Sequence, residues 1–265
     1  MRIFSRRYLS QTVDQRHGDI PLFVCCFTSG LLDSVSFNNW GVFVGMQTGN
    51  TVLLALSTAS LPETQHHATA TTLTSLGSFL LGAYLTFVIS RWSGSLSRLF
   101  VMLSFCIQAA LIAVAAALTT AGLVPEDRNG GGQELGNIRI VTALPPLAFH
   151  FGMQIATSRI LGFNELPANV LTSTYADLVG DPKLFSFHWN PKRDRRIASV
   201  FLVLTGAISS AWMMKRGLNI YGQMWIGAGL KFLTAAGVWL FMDKDRGDTE
   251  LGRKPNGEPM KKTGA

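Results

Sequence analysis

The chain has 265 residues and a formal net charge of +7, yet only 15% of its residues are charged while 48% are hydrophobic. Mean hydropathy is +0.26, whereas a soluble globule carries nearer a quarter charged residues. The composition excludes an ordinary soluble globule. The basic residues flank apolar segments and form no continuous face, which argues against a nucleic-acid binder.

Eight apolar segments follow in chain order: Ile20–Phe37, Gly41–Ala59, Thr69–Ser90, Leu99–Ala121, Ile140–Ser158, Ile160–Val179, Ile197–Met214 and Leu218–Met242. Crossing about 30 Å of hydrocarbon takes roughly 20 helical residues at 1.5 Å each. The third, fourth and eighth are long enough to span alone, and the seventh is borderline. The other four form close pairs, parted only by Asn38-Asn39-Trp40 and by Arg159. Loops that short do not easily reverse two full spans. Gly45 and Gly49 loosen the second segment and Pro167 interrupts the sixth. Each pair therefore makes either two crossings or one crossing with a re-entrant or broken helix.

Loop charges favour one net crossing per pair. With six crossings the N-tail, the Arg91–Arg98 loop, the Lys183–Arg196 loop and the C-tail lie inside. The Pro62–His67 and Leu123–Asn137 loops then lie outside, in better agreement with the excess of Lys and Arg on cytoplasmic flanks. Lys215 and Arg216 violate that rule in either arrangement.

Polar residues and glycines enter the apolar segments twice. The first group runs from Gly30-Leu31-Leu32-Asp33 to Met46-Gln47-Thr48-Gly49-Asn50, the second from Gly152-Met153-Gln154 to Leu171-Thr172-Ser173-Thr174. An offset of 124 residues separates Thr48 from Thr172, and the same offset aligns Gly82-Ala83 with Gly206-Ala207. The expected fold is all-α: a polytopic membrane helix bundle of two related halves, an inverted 3+3 repeat with broken or re-entrant helices. An N-tail (1–19), a first repeat (20–121), a linker carrying Gly130-Gly131-Gly132 (122–138), a second repeat (139–242) and a C-tail (243–265) make up the chain. Secondary transporters of this build place their site at the repeat interface near the midplane.

The run Gly30-Leu31-Leu32-Asp33-Ser34-Val35-Ser36-Phe37, then Gly41-Val42-Phe43 and Met46-Gln47-Thr48-Gly49-Asn50, resembles the YoaK-like family of uncharacterised multi-pass membrane proteins. Gly152-Met153-Gln154-Ile155-Ala156, Arg159, Thr172-Ser173-Thr174 and Asp177 follow the order of that family's second motif. Ile155 stands where the motif has an amide and Ser173 where it has a glycine, which makes the second motif less polar and less flexible here. The resemblance covers the whole membrane region. It implies a fold and no substrate or activity.

Asp33, Gln47, Thr48, Gly49, Asn50, Gln154, Arg159, Thr172, Ser173 and Thr174 are the candidate solute- or ion-binding residues. A carboxylate inside a bilayer faces a cavity, a bundle interior or a partner charge; Arg159 is a candidate partner of Asp33 or of Glu165, or, the favoured reading, snorkels to the membrane surface. Unwound backbone around Thr48-Gly49-Asn50 can coordinate a ligand where it lines a cavity; helix packing through Gly45 and Gly49 is the rival reading. The Thr172–Thr174 hydroxyls can instead bond their own helix carbonyls. His150 is a candidate proton relay, or simply hydrogen-bonded in the bundle. Lys231 would be costly at midplane and needs a partner or a route to the surface.

Cys25, Cys26 and Cys106 read as small buried hydrophobes. His66-His67 has no third ligand nearby, so no metal site is expected, and the N-terminus does not read as a cleavable signal. No Walker A loop, dinucleotide fingerprint, zinc-protease motif or nucleophile elbow occurs. No cofactor, no catalytic residue and no enzymatic activity are expected. The expected function is a secondary transporter or permease for a small solute or ion; the alternative is a structural or assembly protein. The lipid bilayer is the expected partner, both termini are expected in the cytoplasm, and a homo-oligomer stays open.

Overall fold

A computed structural model describes residues 18–61, 67–93, 97–125, 138–166, 171–186 and 188–241, and its regular elements there are helical. The two tails, Pro167 and the Gly130-Gly131-Gly132 linker lie outside the described residues. Eight α-helices follow: α1 Asp19–Trp40, α2 Gln47–Ser57, α3 Ala68–Ser93, α4 Arg98–Thr120, α5 Leu144–Ile160, α6 Leu171–Val179, α7 Pro191–Lys215 and α8 Ile220–Phe241.

Local signals set several boundaries. Gly41 ends α1 in the left-handed region at φ 66°, and its N–H returns to the Phe37 carbonyl, as a glycine past a helix end does. Ser97 caps α4 through the Phe100 N–H. Asn190 caps α7, with Pro191 in the first turn and Asp194 near the positive end of the helix.

α1, α3, α4 and α7 are each long and apolar enough to cross a membrane. α8 has 22 residues, and α5 has 17, preceded by a short 3₁₀ turn at Ile138–Thr142. α2 and α6, with 11 and 9 residues, are too short to cross. The sixth apolar segment is thus not one helix: the chain leaves α5 at Leu161 and resumes at Leu171. The second becomes helical only at Gln47.

The six long helices alternate in direction. At one end, Asp19 at the start of α1 pairs with Arg195 in the first turns of α7. At the other, Trp40 at the end of α1 donates to the Pro125 carbonyl beyond α4, and Asn39 reaches Met214 near the end of α7. Thr120 at the end of α4 accepts from Trp225 in the first turns of α8. The start of α1 and the end of α8 therefore share one end of the bundle, where Leu22 and Val238 join the same apolar cluster. A second cluster, built on Trp40, Ile112, Leu147 and Met224, fills the other end.

Helix packing follows one pattern in both halves. α1 packs on α7 as α5 packs on α3, α1 touches α8 as α5 touches α4, and α2 lies on α3 as α6 lies on α7. α4 and α8 pack on each other. Four glycines form the two closest contacts. A Cβ on Gly30 would lie 1.9 Å from the Val203 carbonyl oxygen, and one on Gly206 would lie 2.1 Å from that of Phe27. The α3–α5 pair repeats this: Gly82 meets the Phe149 carbonyl oxygen at 2.2 Å, and Gly152 that of Phe79 at 2.0 Å. Only hydrogen fits at such positions, the small-residue logic of helix contacts in lipid.

Candidate functional site

The centre of the bundle is polar. Lys231 of α8 is 0% exposed. Its ammonium donates to Gln108 Oε1 of α4 at 2.7 Å, to Cys25 Sγ of α1 at 3.0 Å and to Gln154 Oε1 of α5. The Phe105 ring completes the shell, its centroid 5.6 Å from Nζ. An ammonium is a pure donor, so both glutamines must turn their oxygens toward it. Their nitrogens point away: Gln154 Nε2 donates to Ser29 Oγ at 2.9 Å and Gln108 Nε2 to Ser104 Oγ at 3.1 Å. Ser104 and Thr157 share a further hydrogen bond at 2.7 Å, and Ser29 donates to the Cys25 carbonyl at 2.8 Å. Six side chains from four helices thus form one chain of hydrogen bonds, Thr157–Ser104–Gln108–Lys231–Gln154–Ser29, all buried. His150 is buried one helical turn before Gln154, its ring 4.1 Å from that of Phe151.

The first polar motif lies elsewhere and is bound to backbone. Asp33 Oδ1 accepts the Val44 N–H at 2.9 Å and the Gly45 N–H at 2.7 Å. Asn50 clamps the same segment: its Oδ1 accepts the Phe43 N–H at 3.0 Å and its Nδ2 donates to the Phe43 carbonyl at 2.6 Å. Ser75 of α3 donates to that carbonyl at 2.8 Å, and Gln47 donates to the Val44 carbonyl at 2.9 Å. After α1 the chain turns back to the depth of Asp33, and α2 climbs out again along α3, with Ser57 bonded to Thr69. Unwound backbone must find partners in lipid, and these side chains supply them. Gly49 leaves room for the Phe43 ring, which a Cβ would meet at 2.8 Å. Thr48 is exposed.

The second motif divides. Gln154 joins the central network. Arg159 is exposed at the end of α5 and holds Asn164 through its carbonyl at 3.0 Å and Oδ1 at 2.9 Å. Arg159 pairs with neither of its two candidate acids: Asp33 binds backbone and Glu165 pairs with Arg195. Ser158 holds the turn that follows, donating to the Phe163 and Leu166 carbonyls at 3.1 and 2.7 Å. Thr172 and Ser173 are exposed and Thr174 is buried. α6 leans on α7, where Asp177 pairs with Arg196.

The motif cores therefore do not meet. α2 lies at the Trp40 end against α3, and α6 at the Asp19 end against α7. What occupies the centre is Lys231 with Gln108, Gln154, Cys25, Ser29, Ser104 and Thr157, of which only Gln154 is among the residues expected from sequence. The signal for the rest was the lysine itself, a charge inside a 22-residue apolar helix, and Gln108 four residues after Ser104 on another. A separate cavity of about 520 Å³ opens at the Asp19 end, lined by Phe163, Glu165, Asp177, Lys192, Arg195 and Arg196.

Long apolar helices in alternating directions, a first helix break whose backbone is held by side chains and a lysine sealed in the middle define a multi-pass integral membrane protein. The chain belongs to the family described as protein of unknown function (DUF1275), which it matches over residues 21–237. This is the YoaK-like family that its two motifs resemble. No curated protein and no solved structure matches it.

Proposed function

We propose that the protein is a secondary transporter or permease for a small solute or ion, with its site at the Lys231 network where two inverted halves meet. The buried lysine carries this reading. An ionisable group at the centre of a membrane bundle is costly to keep there, and such groups mark ligand and ion paths. Exchange of the halves maps α1–α7 onto α5–α3 and α1–α8 onto α5–α4, with α4–α8 on the axis. Each half has three spanning helices, so the halves run in opposite directions through the bilayer. The glycine-lined α1–α7 and α3–α5 contacts are smooth surfaces along which the halves can rock about a fixed centre. The basic first turns of α7 and Arg159 support a cytoplasmic location for the Asp19 end, and with it for both termini.

Cys25 is a native reporter of access to this centre. In full-length protein carrying Cys26→Ala and Cys106→Ala, a membrane-impermeant methanethiosulfonate applied to sealed proteoliposomes should modify Cys25 from one face. Failure to label from either face, with full labelling after denaturation, would show a closed core and overturn the permease reading. Assembly protein is the second reading, and the spending of Asp33 and Asn50 on backbone favours it.

A further inference from the structure

We propose that the Lys231 junction is a monovalent-cation site, and that the ammonium of Lys231 occupies it as a tethered substitute for a small soluble cation. The inference names the ligand class for the site proposed above and rests on that reading for its link to transport. The three atoms that hydrogen-bond Nζ, Gln108 Oε1, Gln154 Oε1 and Cys25 Sγ, all serve as acceptors. The Phe105 face supplies the fourth side, as ring faces do for cations.

The shell is preorganised from behind. Gln154 is fixed by Ser29, which is fixed by the Cys25 carbonyl, and Gln108 is fixed by Ser104, which is fixed by Thr157. An anion at this place would need both amides to turn over. That would break the Gln154–Ser29 and Gln108–Ser104 bonds and leave two buried hydroxyls without their donors. Calcium or magnesium would call for carboxylates, and the groups that bond Nζ are two amides and a sulfur. Exchanging one +1 charge for another leaves the net charge of the bundle interior unchanged, so withdrawal of Lys231 and entry of a sodium, potassium or ammonium ion are electrostatically matched steps. Three ligands from three helices, with the lysine on a fourth, mean that the exchange reports directly on how α1, α4, α5 and α8 sit together.

The test uses the full-length Lys231→Ala variant in detergent at constant ionic strength. Thermal unfolding is followed in choline chloride and in sodium, potassium or ammonium chloride. The variant should melt below the wild-type protein in choline. At least one of the three small cations should raise its Tm by about 5–10 °C, the shift expected of a ligand well above its Kd for a chain of this size. The wild-type Tm should not depend on which cation is present. No rise with any of the three cations overturns the proposal.

If Lys231→Ala yields no folded protein, Gln154→Glu with Lys231 intact decides. The new carboxylate gains the attraction of the ammonium and loses the Gln154–Ser29 bond, so the Tm should rise or stay within about 5 °C of wild type, and a larger fall overturns the proposal. The readout is stability, so it separates from transport. Cation rescue without Cys25 labelling leaves a cation site in a closed bundle, and labelling without rescue leaves a permease for another ligand class.

Discussion

Asp33 accepts the backbone N–H of Gly45 at 2.7 Å across the first helix break, so the most conspicuous intramembrane acid of the chain binds its own backbone. The Val44 N–H shares the same oxygen. The carboxylate holds the returning chain at the depth where α2 begins and is not paired with Arg159, which holds Asn164 instead.

Replacing Asp33 should therefore act on stability first. Asp33→Leu leaves two buried N–H groups without an acceptor, at about 1–3 kcal/mol each. Asp33→Asn keeps an acceptor oxygen and should cost less than half as much. Thermal melts of the purified variants in detergent order them: wild type, then Asn, then Leu. Equal melting of all three would show that the carboxylate does not hold the break.

Two neighbours in the first motif should behave oppositely. Asn50 satisfies both polar groups of Phe43 and reaches Ser75 at 3.0 Å, so Asn50→Leu should cost about 2–4 kcal/mol. Thr48 is exposed, and Thr48→Ala should stay within about 0.5 kcal/mol. Folded yield by fluorescence-detected size exclusion checks both in one experiment.

The glycines sort in the same way. Gly30→Val, Gly82→Val, Gly152→Val and Gly206→Val each drive side-chain atoms into a carbonyl of the facing helix and should abolish the monodisperse peak. Gly77 of α3 has open space around its Cβ direction, so Gly77→Ala should be neutral or stabilising by up to about 1 kcal/mol. A Gly206→Val variant that expresses and melts like wild type would refute the α1–α7 contact.

At the Asp19 end, Arg195 ties three parts of the chain. It pairs with Asp19 at 3.0 Å and Glu165 at 3.1 Å, and its guanidinium stacks 4.8 Å over the Phe163 ring. These groups are partly exposed, so each pair contributes modestly and is weakened by salt. Arg195→Ala should cost about 1–2 kcal/mol at low ionic strength and less in 1 M salt. A loss that does not change with salt would point to packing against Phe163 as the larger share.

The start of α1 and the end of α8 lie at the same end of the bundle, so the proposed topology has both termini on one face. Reporter fusions at residue 1 and residue 265 should give the same topology signal, cytoplasmic if the basic end of α7 faces inward. Opposite signals from the two fusions would contradict the alternation.

The sequence by itself determined that this is a multi-pass helical membrane protein of its family, and it marked both helix breaks. Those features are one-dimensional: apolar length against bilayer thickness, and glycine or polar residues interrupting a run. It also exposed Lys231 as a cost without a partner. Only the tertiary structure decided what each polar side chain does. The partners of Lys231 lie 77, 123 and 206 residues away in sequence, on three other helices, and periodicity within one helix cannot say which helix it will face. Asp33 and Asn50 looked like ligands because a polar side chain inside a membrane segment is costly unless it is used. In the fold their nearest polar groups are unwound peptide units, and a buried peptide without a partner outweighs any gain from leaving the side chain free for a solute.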